Sequence, residues 1–384
     1  MKVGDRVEVD ITAIAHGGHC IARSDGRVIF VRHAIPGERV VVEITEITKN
    51  FARGDCLTVL DGSPNRVSPK CKYAIPGGCG GCDFQHIEPS HQRELKEAVI
   101  REQFARLAKL DISPVVEEVS PIWNWRTRME LTVSANRKLG MYRSRSNELV
   151  EIERCEIAAS EIDFDRINAM RLPIGKKVDV ALDSQGEVIT TIEGRSDFRL
   201  VTQEVNGFRF QISPESFWQS HLRAPEVLID AVRDFTEVKS GDHLLDLYSG
   251  VGLFASAFLG DIGAGGRITM IEEGASAVTD ARRIFAEYPN VEILEGKVER
   301  LLKKLARADR IIIDPPRSGA GAAVIDLIAA LKPESLTYVA CDPAALARDT
   351  DYLKERGYTL AKIRAFDLFP MTHHVECVAR FIRG

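Results

Sequence analysis

The sequence predicts a multidomain protein of α/β and β class. It comprises an N-terminal OB-like β-barrel, a mixed α+β middle domain that binds an inorganic centre, and a C-terminal Rossmann-like domain. Three observations predict this. The N-terminal residues alternate apolar and polar in short runs, four cysteines fall in a three-plus-one pattern, and the C-terminal part alternates apolar strands with helical stretches. A chain of 384 residues is long enough for two or three domains with separate cores. A hydrophobic content of 45% and a charged content of 28% are those of an ordinary globular protein. The start, "MKVGDRVEVD", has no apolar h-region, so no signal peptide is expected. The most apolar stretch, Leu244 to Leu259, is broken by Asp246 and two glycines, which argues against a membrane span. A net charge of −5 excludes a general nucleic-acid coat and gives no sign of DNA binding, so RNA contact would need a local basic patch. Eight cysteines without an export signal predict reduced thiols in a cytoplasmic protein, serving metal binding or catalysis before disulfides.

Residues 1–62 supply the barrel. "RVEVDITAI", "GRVIFVRHA", "ERVVVEITEI" and "ARGDCLTVL" are short strands separated by Gly, Asp and Pro turns, which predicts a small antiparallel barrel. OB-like barrels bind nucleic acid or protein, and some are purely structural. Residues 63–215 form the mixed domain. A cysteine-rich loop precedes "SHQRELKEAVIREQFARLAKLD", where Ser90 is the expected N-cap and Ile100, Phe104, Leu107 and Leu110 make a packing stripe. "RMELTVSA", "EVITTIEG" and "FRFQIS" follow as strands.

Residues 216–384 carry "HLLDLY", "RITMI", "VEIL", "RIIID" and "LTYVAC", each followed by a helical stretch, and close with "YTLAKIRAFDL" and "HVECVARFI". This order predicts a doubly wound parallel sheet, whose ligands lie beyond the carboxyl ends of the strands. In "DLYSGVGLFASAF", Gly250 and Gly252 allow a tight turn and close approach to a ligand. Ala255 stands where a dinucleotide fingerprint would have a third glycine, and Glu272 ends the second strand, where it can accept from two ribose hydroxyls. A ribose-bearing cofactor without a pyrophosphate fits S-adenosylmethionine, a surface glutamate being the plain alternative. The fourth strand ends "IIIDPPRSGAG". Amino-group methyltransferases usually carry Asn-Pro-Pro-aromatic at this position, so Asp314 and Arg317 predict a methyl acceptor other than an amine. "YVACDPAALARDT" sets Cys341 where a strand meets a turn and a helix, as a core residue, a metal ligand or a nucleophile.

Cys71, Cys79 and Cys82 are spaced C-x7-C-x2-C, and Cys155 follows in "VEIERCEIA". Four thiolates hold zinc or a cubane iron–sulfur cluster, and three clustered thiols plus one distant thiol favour the cluster. Cys20, Cys56 and Cys377 read as small core residues. Between 123 and 145, Arg126, Arg128, Arg143 and Arg145 are among six basic residues interleaved with Trp123, Trp125 and Tyr142. Cations over phosphates and rings against unstacked bases hold single-stranded RNA, although a solvated charged β-surface has the same composition.

Taken together, these segments resemble the RNA (uracil-5-)-methyltransferase family in its form with a TRAM domain and a 4Fe-4S cluster. The resemblance spans nearly the whole chain. It rests on the cysteine loop running into "DFQH", on "MYRSRSNELVEIERC", "SFWQSH", "DLYSGVG", "DPPRSG", "YVACDPAALARD" and "FPMTHHVE". It implies that Cys341 is the nucleophile and Glu376 the general base. Gln219, Tyr248, Glu272 and Asp314 would contact S-adenosylmethionine, and Cys71, Cys79, Cys82 and Cys155 would hold the cluster. It also implies that the 90–115 helix packs on the catalytic domain. The substrate class it implies is large-subunit ribosomal RNA, with uridine 54 of transfer RNA as the alternative, and the expected state is a monomer. An inactive iron–sulfur RNA-binding protein is the competing reading of another class. The N-terminus of the helix after Cys341 is expected to favour its thiolate. The chain departs from the family in a longer first cysteine gap and in Lys297, which stands near the expected adenine position.

Overall fold

The computed structural model describes residues 1–195 and 199–384. The first six strands are β1 (Arg6–Asp10), β2 (Ala13–Ile14), β3 (Cys20–Ser24), β4 (Arg27–Arg32), β5 (Arg39–Ile47) and β6 (Phe51–Asp61). They form one sheet in the order β1-β5-β6-β4-β3-β2, curled so that β1 also meets β3. Val9, Ala22, Ile29, Val31, Val40, Val42 and Ala52 fill its interior, and Cys20 and Cys56 are packed among them. Their alternation along each strand is the period-2 pattern of the sequence. One expectation is corrected: β4 and β6 pair in parallel, so the sheet is not purely antiparallel. Strand direction is set by chain crossovers, and apolar alternation is the same in either direction.

Helix α1 (Pro89–Gln103) runs into one π-helical turn, Phe104–Ala108, and ends at Lys109 in the left-handed conformation. Glu88, not Ser90, caps it, accepting from Ser90 N at 2.8 Å and His91 N at 3.2 Å. Pro89 explains the shift, because proline suits the first helical position, where its missing N–H costs nothing. Ile100, Phe104 and Ala108 are buried in one cluster with Leu247, Ile313, Tyr338 and Ala340 of the C-terminal sheet. Lys96, buried on the same helix, pairs with Asp367 at 2.6 Å.

Strand β7 (Val116–Glu118) leads to β8 (Arg128–Val133), β9 (Leu139–Tyr142), β10 (Leu149–Glu151), the short α2 (Phe164–Asn168), β11 (Lys177–Leu182) and β12 (Val188–Ile192). Five of these strands form a separate antiparallel sheet, β10-β9-β8-β11-β12. β13 (Val201–Val205) and β14 (Phe208–Ile212) make a hairpin whose Val205, Phe210 and Ile212 pack with the C-terminal core.

After α3 (Ala224–Thr236) the chain alternates: β15 (His243–Leu247), α4 (Leu253–Ser256), β16 (Arg267–Glu272), α5 (Ala275–Ile284), β17 (Val291–Glu295), α6 (Val298–Leu302), β18 (Arg310–Ile313), α7 (Gly321–Ala330), β19 (Ser335–Ala340), α8 (Pro343–Glu355), β20 (Tyr358–Asp367) and β21 (Glu376–Arg383). The sheet order is β17-β16-β15-β18-β19-β21-β20-β7, parallel except where β21 runs antiparallel between β19 and β20. Successive residues of one strand enter opposite cores: Leu245 and Leu247 face α1, α7 and α8, while Leu244 faces α3. Helices thus cover both faces, as the near-continuous apolar strands require. Among the described residues, no helix is long and apolar enough to cross a membrane.

Candidate active site

The chemistry-bearing residues gather at one edge of the eight-stranded sheet. β15, β18 and β19 are parallel neighbours, so Tyr248, Asp314 and Cys341, which directly follow them, leave the sheet at the same end. β21 is antiparallel, so its first residue, Glu376, lies at that end too. The register pairs Ala340 with Cys377, and one further step sets Cys341 against Glu376. Asp314 N donates to Leu247 O at 3.2 Å, locking two of these strand ends together.

Gln219, Tyr248, Gly250 and Asp314 line one pocket with Phe217, Trp218 and Ser249. Tyr248 has φ +59° and Gly250 φ +53°, so the loop doubles back over the strand ends. A Cβ on Gly252 would come within 2.4 Å of the Phe285 ring, which fixes glycine there sterically. Glu272 accepts from Gly250 N at 2.9 Å and from Gly274 N at 2.7 Å, so both carboxylate oxygens already brace the loop while keeping lone pairs free. Asp246 is enclosed on β15. Its Oδ2 accepts from Ala255 N at 3.0 Å, but its Oδ1 and the nearby Ser249 Oγ have no partner. Burial lifts the Asp246 carboxyl to about 8, with Asp314 and Glu272 adding to the effect. Of the two unpartnered atoms, Ser249 Oγ lies in the wall of the glycine-turn pocket, where a polar ligand would complete it, so these residues fit a cofactor such as S-adenosylmethionine.

Cys341 lies in an adjoining pocket with His16, Gly17, Gly18, Lys96, Arg317, His373 and His374. Its thiol is pushed up to about 11, first by burial and then by Glu376 and Asp314, against which Arg317 acts. The expected thiolate-favouring helix terminus does not prevail: Asp342 Oδ1 already takes Ala345 N at 2.8 Å, and two facing carboxylates oppose the charge. Burial raises Glu376 well above the usual carboxylate range, with Asp314 adding to it and Arg317 opposing. Burial likewise raises Asp314, to about 7. Two neighbouring carboxyls in low dielectric resist ionising together, so the pair retains a proton near neutral pH.

Cys71, Cys79, Cys82 and Cys155 line a single pocket with Ala74, Met141 and Ile152. Burial raises the thiols of Cys71, Cys79 and Cys82. Among the described residues, no group of three or more His, Cys, Asp or Glu side chains is disposed to hold a single metal ion.

Comparison with known proteins places this geometry. Residues 1–57 match the TRAM domain, and residues 267–383 match the tRNA (Uracil-5-)-methyltransferase family. An uncharacterized RNA methyltransferase of Streptomyces avermitilis is 40% identical over 98% of this chain and 98% of its own. The chain belongs to the uracil-5 RNA methyltransferase family. A Thermotoga maritima RNA methyltransferase is 30% identical over 98% of this chain and 99% of its own. The fold is that of Pyrococcus abyssi tRNA (uracil-54, C5)-methyltransferase in complex with S-adenosyl-L-homocysteine, at TM-score 0.76 and 21% identity over 98% of this chain and 100% of that one.

In this methyltransferase the predicted basic patch divides. Arg143 and Arg145 are exposed, beside the half-exposed Tyr142, and Arg143 pairs with Glu148. Arg126 and Arg128 are turned inward. Arg126 Nε donates to Arg128 O at 2.9 Å, and Arg128 Nη1 donates to Ser216 O at 2.6 Å with its remaining nitrogens enclosed. Trp125 is 2% exposed and stacks on His221 at 5.5 Å. Backbone bridges from Arg126 to His221 and Ala158, and the Arg128 bond to Ser216, hold this stretch against neighbouring segments rather than toward solvent. His16, Lys96, His373 and Asp246 were not singled out by sequence reasoning. Asp246 left a signal as a charge inside an apolar strand, and His373 lies in the quoted "FPMTHHVE".

Proposed function

We propose that this methyltransferase transfers a methyl group from S-adenosylmethionine to carbon 5 of a uridine in RNA through a covalent Cys341–uracil adduct. The observation that carries the reading is the convergence of Cys341, Glu376 and Asp314 at the sheet edge next to the glycine-turn pocket. Gln219, Tyr248, Gly250, Gly252, Glu272 and Asp314 would hold S-adenosylmethionine, which supplies the methyl group when bound. Cys341 gives its proton to water and its Sγ adds to C6 of the uracil, breaking the C5–C6 π bond and moving its electron pair into an enolate that is nucleophilic at C5. This splits one hard step into easier ones. After C5 is methylated, Glu376 removes the C5 proton, the C5–C6 double bond reforms and Cys341 leaves. For that step the proton the pair retains must sit on Asp314, and the raised pKa of Glu376 then makes its carboxylate a stronger base. The target base leaves its stack to enter the pocket of Cys341.

Cys71, Cys79, Cys82 and Cys155 are proposed to hold a 4Fe-4S cluster. An all-thiolate set suits soft metals. Zinc sites more often use two C-x2-C knuckles, so three clustered thiols plus one distant thiol favour the cluster. The proposed roles are domain 1–62 for RNA binding, 63–215 for holding the cluster and 216–384 for catalysis, with Arg143 and Arg145 facing RNA. Large-subunit ribosomal RNA is the proposed substrate class. A second reading, transfer RNA, draws on the family model's own description and on the substrate of the Pyrococcus abyssi enzyme.

The test is a denaturing gel of protein, S-adenosylmethionine and 5-fluorouridine RNA, made in turn from ribosomal and transfer sequences. Fluorine cannot leave as a proton does, so a shifted band that vanishes in Cys341→Ala is expected. No band with any RNA, from folded protein that binds the cofactor, would leave the non-catalytic RNA-binding reading.

A further inference from the structure

The turn between β2 and β3 reaches from the barrel into the active site. Ala15 N donates to His19 O at 2.8 Å and Gly18 N to Ala15 O at 3.1 Å, closing a tight turn with Gly17 and Gly18 at φ +88° and +78°. A Cβ on Gly18 would lie 2.5 Å from His373 Cβ, so the turn abuts the loop that leads into Glu376. His16, Gly17 and Gly18 form one side of the pocket that holds Cys341. His16 Nε2 lies 3.0 Å from Asp342 Oδ2, and the other oxygen of Asp342 caps α8. Asp342 is therefore held by the barrel on one side and by its helix on the other, directly beside the nucleophile.

We infer that His16 is a positioning residue of the methyl-transfer reaction, fixing Asp342 beside Cys341 and, when protonated, offsetting the carboxylate charge that opposes the thiolate. This rests on the reading of Cys341 as nucleophile. Asp342 is one of the groups that keep the Cys341 thiol protonated, together with Glu376 and Asp314 and against Arg317. The groups facing His16 are Asp342 from α8, Glu102 from α1 and Arg106 from the π turn. The hydrogen bond to Asp342 holds the His16 pKa above its ordinary value, with burial opposing. A proton on His16 is then present below that raised pKa, and the offset is lost as pH rises through it. A merely structural contact would have no such dependence.

The test reads Cys341 alkylation by iodoacetamide, resolved by peptide mass, in the full-length protein without RNA or methyl donor. Its outcome is thus separate from success or failure of methyl transfer. His16→Gln keeps an amide donor for Asp342 and removes the charge. At pH 6 its Cys341 is expected to react about threefold more slowly than wild type, the scale of a half-exposed charge pair. The gap closes as pH rises through the His16 pKa. Adding Asp342→Asn, which still caps α8, is expected to restore the wild-type rate at pH 6. Equal rates in wild type and His16→Gln at every pH, a gap that does not change with pH, or no restoration in the double variant would overturn the inference.

Discussion

Asp246 shows what a single carboxylate costs and gives. Its folded pKa of about 8 stands far above the ordinary aspartate value of about 3.9. Between those values the native state keeps a proton that the unfolded chain has lost, so Asp246 makes stability fall as pH rises through that window. Asp246→Asn should therefore be more stable than wild type, by a margin that grows from pH 4 to pH 8 at up to about 1.4 kcal/mol per pH unit. Thermal unfolding across pH checks this, and calorimetry should show weaker S-adenosylmethionine binding by the same variant. A pH-independent margin would mean that the carboxyl titrates normally. Glu376→Gln, in turn, should still form the Cys341 adduct but release it about 100-fold more slowly or worse. A denaturing gel with ordinary uridine RNA would then show a persistent band absent from wild type. Cys341 and Glu376 were legible as motif positions. The pKa shifts of these groups were not, because they arise from burial and from charges distant in sequence.

Among the elements, α1 shows how local signals and tertiary contacts divide the work. Its apolar stripe at helical spacing announced the helix, but the cap expected at Ser90 is made by Glu88, just before Pro89. Nothing local announced that Lys96 would be buried against Asp367, with side chains 1% and 3% exposed. Removing one member of such a pair strands the other charge. Lys96→Met is expected to cost about 3 kcal/mol in urea unfolding, and a loss under 1 kcal/mol would show that Asp367 finds water or another partner. At the glycine turn, Gly252→Ala drives a methyl into Phe285 and forces a left-handed φ of +91° on alanine. That variant should lose cofactor binding at least tenfold, measured by titration, while the barrel and central sheet remain folded.

Across the whole molecule, the cysteine loop is tied to the catalytic loop. Asp83 N and Phe84 N both donate to Met371 O at 3.0 Å. Gln92 joins the same knot, giving its amide to Phe84 O at 3.1 Å and accepting from Met371 N at 2.9 Å. His373, two residues on, pairs with Asp83 at 2.6 Å. Cys82→Ser should lower bound iron and acid-labile sulfide and raise hydrogen exchange across residues 369–376. Iron loss with unchanged exchange there would show that the loop holds without the centre. The order of strands and helices and the four-cysteine pattern were legible in the sequence itself, because each rests on periodicity or spacing within a short window, whereas the candidate nucleophile came from the family resemblance. Only the tertiary structure decided that β4 and β6 run parallel, that Arg128 faces inward and that His16 meets Asp342 across 326 positions. Those outcomes depend on which surfaces meet after the chain closes long loops, and no local pattern encodes that choice.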